Sequence, residues 1–291
     1  MSAVAFPVVR TRGRLLFERN LMVYRRTWLT LISGFFEPMF YLFSIGLGLG
    51  HFVGKIHGVS YASYIAPALL ASSAMNGAVY DGMTNVFFKL RYGKIYDSIL
   101  STPLGPTDVA VGETAWAQFR GLLYATGFVI TIAALGLVHS GWALLALPAA
   151  MVIGFGFAGM AIGASTFLRS WQDFDTVQLV QLPMFLFSAT FYPLSVYPVA
   201  IQWVVRFSPL YHAIVLMRSF TLGTVGPTNL LDAGYLVVLG LFGIWLARRR
   251  IIDASWLSRR QVHGRPTPSF GWRSSSSSRG IQGLPSMAGA T

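Results

Sequence analysis

Apolar positions in this chain cluster in long blocks, without the short alternation of a soluble core. Six blocks approach the roughly 20 residues that a bilayer-spanning helix needs: Trp28–Gly50, Tyr64–Phe88, Gln118–Val138, Trp142–Leu168, Val177–Phe191 and Leu231–Ala247. The fifth and sixth are the shortest, and the fifth contains Pro183. Between them, residues 190–220 read "TFYPLSVYPVAIQWVVRFSPLYHAIVLMRSF", too apolar for an ordinary loop and too broken by Pro193, Pro198 and Pro209 for one helix. Ahead of the first block, Phe17, Leu21, Tyr24 and Trp28 form an apolar stripe flanked by Arg14, Arg19, Arg25 and Arg26. Leu15, Leu16 and Val23 fall off the stripe, which otherwise predicts a helix lying on a membrane surface.

Composition supports the bilayer: 54% of residues are hydrophobic and 11% charged, too little polar surface for a soluble domain of 291 residues. The first 27 residues carry six arginines and no apolar run ending in a small-residue cleavage site, so no removable signal peptide is expected. Lys and Arg concentrate on one side of the predicted spans. They precede span 1, follow span 2 at Lys89, Arg91 and Lys94, follow span 4 at Arg169, and follow span 6 at Arg248, Arg249 and Arg250. The opposite side holds Lys55, Arg206 and Arg218. The excess predicts that both termini are cytoplasmic. It also accounts for the net charge of +12, because the basic residues flank spans and the tail and lie against anionic headgroups, which leaves no basic face for nucleic acid. From Ser258 onward the Ser, Gly, Arg and Pro content predicts a tail that cannot fold alone.

Signatures of chemistry are missing. "GKI" occurs at Gly54 and Gly93, but neither belongs to a G-x-x-x-x-G-K-[ST] phosphate loop. The histidines lack metal-ligand spacing, there is no cysteine, and no G-x-S-x-G elbow appears. Asp173 and Asp175, the one close carboxylate pair, fit the start of span 5 better than acid–base work. A few residues are costly where they sit. Glu37 falls about 14 Å into span 1, near mid-bilayer, beside Pro38; it either lines a substrate path or is a structural group at a kink. Asp81 in span 2 and Arg120 in span 3 are expected at equal depth on antiparallel helices and so to form a structural ion pair. Gly159 and Gly163 share a helix face suited to close packing, within the chain or against a second copy.

After span 2 the chain reads "KLRYGKIYDSILSTPLGPTDVAVGE", which resembles the cytoplasmic linker of ABC type-2 exporter permeases. "EPMFYLFSIGLGLG", "APALLASSAMN" and "FSATFYPLSVYP…SPLYHAIVLMRSFTLG" resemble, in the same order, the branch containing nodulation-factor and daunorubicin-type drug exporters. The likeness covers about residues 10 to 250. It implies an all-α polytopic membrane protein: a cytoplasmic segment 1–27 with an amphipathic interface helix, a six-span domain 28–250, and a largely disordered tail 251–291. It further implies short re-entrant helices between spans 5 and 6, which would carry Pro193, Pro198, Trp203, Arg206, Pro209 and His212 near the outer headgroups. The implied assembly is two copies of an ABC ATPase subunit, holding ATP and Mg, with a second permease copy, identical or not, in a bacterial plasma membrane. No cofactor, metal or catalytic residue is expected on this chain, and its substrate would be a lipo-oligosaccharide, lipid-linked saccharide or hydrophobic drug. Because a chain without a phosphate loop can use ATP only through contact, the linker is expected to dock on the ATPase. There Ile95, Ile99 and, less closely, Tyr92 share one helix side, Lys94 and Asp97 flank it, and Gly93 and Pro103 bound it. An ion-coupled secondary transporter or a membrane assembly scaffold are the alternatives; the former would need more paired ionisable groups at the midplane.

Overall fold

The computed structural model describes residues 13–26, 36–85, 87, 106–168, 170 and 172–263. Helix α1 is Gly13–Arg26, and α2 spans Phe36–Val53 with the wider turns of a π-helix over Leu42–Leu49. A two-stranded hairpin follows, β1 (Lys55–Ile56) and β2 (Val59–Ser60), pairing Lys55 with Ser60 and Ile56 with Val59. Its turn residues His57 and Gly58 both have positive φ, 48° and 83°, as a tight two-residue hairpin turn requires. This small sheet is an exception to the all-helical expectation. Helix α3 is Tyr61–Tyr80, running into a π-helical stretch Asp81–Asn85; α4 is Pro106–Ala134; a 3₁₀ turn Gly141–Leu145 leads into α5, Ala146–Ser165. Then come α6 (Asp173–Phe187), α7 (Val199–Phe207), α8 (Pro209–Leu222) and α9 (Thr228–His263). The chain divides into compact units of residues 1–252 and 253–291; in the second, the end of α9 is the described part.

Boundaries follow local chemistry. Helix α4 starts twelve residues ahead of the predicted Gln118, with Pro106 at its first turn, where the missing N–H costs nothing; its polar first turns hid it from a hydropathy reading. Helix α6 starts at Asp173, whose carboxylate accepts from the Ser170 N–H and hydroxyl, both at 3.1 Å, and so ties Ser170 to the first turn of the helix. The α7–α8 break falls at Ser208, between Phe207 and Pro209, and the two helices meet at 84°. Gly223, at φ 84°, closes α8 in the left-handed conformation.

Among the described residues, four helices are long and apolar enough to cross a membrane, over Phe36–Val53, Thr114–Ala134, Gly141–Ser165 and Thr228–Ala247, and a fifth if the bent α7–α8 pair is one span. The predicted second and fifth spans fall short by that measure for different reasons. Helix α6 has 15 residues, including Asp173, Asp175, Gln178 and Gln181. Helix α3 has 20, but it packs against α2, α4, α5 and α8, and a helix enclosed by protein has no need of an apolar surface for lipid. Its Ala66, Ala68, Ala71, Ala74 and Ala78 are buried, as are Ser63 and Ser72.

The glycines of α5 meet α9. A methyl group at Gly163 would lie 2.8 Å from the Gly243 carbonyl oxygen, and one at Gly156 2.8 Å from that of Leu236; one at Gly159 would collide with the Gly240 carbonyl. Backbone therefore touches backbone along this seam, and the Gly159–Gly163 face packs within the chain. Gly159→Leu is expected to cost about 2–3 kcal/mol through overpacking against main chain. Gly234→Ala, where nothing lies within 4 Å of the added methyl, should be neutral or stabilising by about 0.5–1 kcal/mol. Thermal unfolding of the two variants in detergent checks the contrast, and equal midpoints would refute the seam.

Candidate functional site

A cleft of about 700 Å³ opens between α2, α3, α4 and α6. Its wall carries Glu37 and Tyr41 from α2, Ser72, Ser73 and Asn76 from α3, Thr84 just beyond it, Arg120 and Tyr124 from α4, and Asp175, Gln178 and Gln181 from α6. Leu69, Met83, Phe174, Leu182 and Phe185 supply apolar patches between them. Polar side chains inside apolar runs are costly unless they face protein or water, and here they converge on one space. The spacing follows from helix geometry: Ser72 and Asn76 are four apart, Gln178 and Gln181 three apart, so each pair shares a face. Gln181 Nε2 donates to Asn76 Oδ1 at 2.6 Å, tying α6 to α3 across the cleft. Ser72 turns its hydroxyl back to the Ala68 carbonyl at 2.8 Å.

Glu37 is exposed and lines this cleft, while Pro38 beside it is buried. Arg120 is buried; its Nη2 donates to the Tyr124 hydroxyl at 3.1 Å, and its guanidinium lies 5.7 Å from that ring's centre. The side chain of Asp81 lies outside the described residues, and so does the predicted docking segment from Tyr92 through Pro103. Aromatic rings lead away from the cleft: Tyr41 to Phe185 at 5.8 Å, Phe185 to Phe191 at 5.3 Å, Phe191 to Tyr192 at 6.2 Å and Tyr192 to Tyr197 at 6.3 Å. Away from the cleft α6 exposes Leu179, Val180 and Leu186.

The proline-broken region is a folded cap. Pro193 precedes a 3₁₀ turn Leu194–Val196, Pro198 sits at the entry of α7, and Pro209 starts α8. Trp203 is exposed with Arg206 stacked over it at 5.3 Å. His212 holds the α7–α8 break to α9: its Nδ1 lies 2.6 Å from the Asp232 carboxylate, its Nε2 2.9 Å from the Arg206 carbonyl, and its ring stacks 4.3 Å from Tyr235. Tyr235 in turn donates its hydroxyl to the Phe207 carbonyl at 2.9 Å. The N-terminal stripe also has a protein partner, because Phe17 of α1 packs edge-on against Trp116 and Phe119 of α4, at 5.5 and 5.4 Å. The sequence reading missed Asn76, Gln178 and Gln181; their signal was the helical spacing of amides within apolar blocks.

The ABC-2 type transporter family matches residues 11–222. The chain belongs to that family. Nodulation protein J of Rhizobium leguminosarum bv. viciae is 33% identical over 258 residues, covering 87% of this chain and all of the relative. Nodulation protein J of Rhizobium meliloti (strain 1021) is 33% identical over 72% of this chain and 80% of its own length, and the inner membrane transport permease YadH of Escherichia coli (strain K12) is 25% identical over 77% and 88%. This ABC-2 protein is accordingly a membrane-embedded transporter subunit and not itself an enzyme.

If the Asn76–Gln181 bond closes the cleft wall, Asn76→Ala and Gln181→Ala should be coupled. A double-mutant cycle on thermal stability is expected to return about 0.6–1.5 kcal/mol of interaction. Additive effects would show that the two amides act apart.

Proposed function

We propose that the chain is the permease of an ATP-driven exporter that moves an amphipathic substrate out of a bacterial cytoplasm across the inner membrane. The observation that carries this reading is the mixed lining of the α2–α3–α4–α6 cleft, amides, hydroxyls and Glu37 beside Leu69, Met83 and Phe185, which suits a molecule with a polar head and an apolar tail. The resemblance of the sequence motifs to lipo-oligosaccharide and drug exporters favours the same substrate class. In this reading α3 and α6 complete six spans, α7 and α8 form a re-entrant cap at the outer face, and α1 lies at the cytoplasmic interface against α4. Both termini are cytoplasmic. The exposed apolar face of α6, with Leu179 and Val180, is covered by a second permease copy. Two ATPase subunits, holding ATP and Mg, dock on residues 92–102, and their closure is transmitted through that linker. Asp81 compensates Arg120 at the cytoplasmic end of the cleft.

Three measurements test the parts separately. Single cysteines at Lys55 or Thr224 should label from outside in intact cells and those at Lys94 or Ser170 should not; outside labelling at Lys94 would invert the topology. Ile95→Asp with Ile99→Asp should leave the protein inserted and folded yet lower co-purification with a co-expressed partner ATPase, whereas retained recruitment would place the coupling surface elsewhere. Glu37→Gln should lower ATP-dependent export about tenfold while ATPase recruitment stays intact; parental export would remove Glu37 from the path.

A further inference from the structure

Arg218 stands apart from both the cleft and the His212 contact. It lies on α8, and its guanidinium sits 3.8 Å over the ring of Tyr64 on α3. Nε donates to the Tyr64 carbonyl at 3.3 Å and Nη2 to the Ala189 carbonyl at 3.1 Å. Ala189 is buried and holds a φ of 58°, a left-handed conformation that residues with a Cβ rarely adopt, so the turn after α6 is bent to present this carbonyl. Neither partner is charged. The ionisable side chains that bear on Arg218 are Tyr64 and Tyr211, both neutral donors in ordinary conditions, and the nearby carboxylate of Asp232 is engaged by His212. Among the described residues Arg218 has no counter-ion.

A guanidinium offers five N–H donors in a planar fork that matches an oxyanion. Two are used here, which leaves three, and Nη1 makes no hydrogen bond among the described residues yet is not enclosed. The residue is partly buried, and because Nη1 is neither hydrogen-bonded nor fully enclosed it is the donor left for a ligand. Backbone carbonyls and a ring face hold this cation without neutralising it, so an oxyanion meeting its remaining donors would also balance its charge.

We infer that Arg218, backed by the Tyr64 ring and oriented by the Ala189 carbonyl, is the anchor of an oxyanion-binding site for the phosphate, sulfate or carboxylate head of an amphipathic molecule. The site stands on its own geometry and does not depend on the export reading. Its test is direct binding of radiolabelled dodecyl phosphate to the full chain in phosphatidylcholine nanodiscs, with empty nanodiscs subtracting bilayer partition. Saturable binding is expected, displaced by dodecyl sulfate and not by dodecyl maltoside or dodecyltrimethylammonium. Arg218→Gln should weaken it about tenfold or more, and Arg218→Lys, which keeps the charge but loses the fork, several-fold. Arg206→Gln, at an exposed arginine, should leave it unchanged. Equal displacement by the neutral and anionic amphiphiles, a measurement on the parent protein alone, would overturn the proposal, as would undiminished binding to a folded Arg218→Gln protein. Displacement by millimolar inorganic phosphate would assign the site to free anions, displacement by phosphatidylglycerol added to the disc to bilayer lipid, and resistance to both to the head of a distinct amphiphile; each of these keeps the oxyanion site and names its source.

Discussion

Close approach of backbones is the interaction on which the rest of this bundle depends. Inside a bilayer, lipid tails are as apolar as leucine, so helices gain little by burying apolar side chains against each other and are held by packing and by interhelical hydrogen bonds. The α5–α9 seam meets that condition with Gly156, Gly159 and Gly163 set against Leu236, Gly240 and Gly243. Helix α3 meets it with alanines, serines and Gly77, which allow α2, α4, α5 and α8 to surround it. Once α3 is central, its polar residues can face a protein-lined space without meeting lipid, and the cleft beside Ser72, Ser73 and Asn76 becomes possible.

The same packing decides which faces are left over. Helix α6 gives Gln178 and Gln181 to the cleft and turns Leu179 and Val180 outward, so it carries a polar edge and an apolar edge at once. That division explains its low contrast in a hydropathy scan, since the polar edge dilutes a run that is also short. The cleft is consequently mixed in character, and the aromatic series from Tyr41 to Tyr197 extends its apolar side toward the α6–α7 connection.

What could be read from the sequence divides along these physical lines. Apolar length announced α2, the later part of α4, α5 and α9, because those helices present a wide apolar surface. Prolines announced the α7–α8 region and its break, since Pro198 and Pro209 can only start helices there. Glu37 was legible by its cost. The Asn76–Gln181 bond was not, because its partners are about a hundred residues apart and nothing local marks one as the other's acceptor. The α5 glycines were legible as a packing face, but which helix they met depended on glycines in α9 at a matching spacing. The hairpin at Lys55–Ser60 was hidden by its turn, where His57 rather than Asn or Asp takes the first left-handed position.

The α7–α8 region shows how a broken helix can be kept at a defined angle. A bend of 84° exposes main-chain groups at its corner, and in an apolar setting each must find a partner. Two of the carbonyls there do so through side chains of neighbouring helices: Arg206 is met by His212 Nε2, and Phe207 by the Tyr235 hydroxyl. His212 is itself fixed by Asp232, so the corner is tied to α9 by a carboxylate, an imidazole and a phenol acting together. On the other flank of α8, Arg218 takes up the Tyr64 and Ala189 carbonyls in the same manner. Helix α8 is therefore held from both sides by polar side chains bonded to main chain: His212, which also meets the Asp232 carboxylate, and Arg218, which meets no carboxylate among the described residues. The two carbonyls fix the direction of the Arg218 fork without neutralising it, so its free edge is where an outside oxyanion is expected to enter.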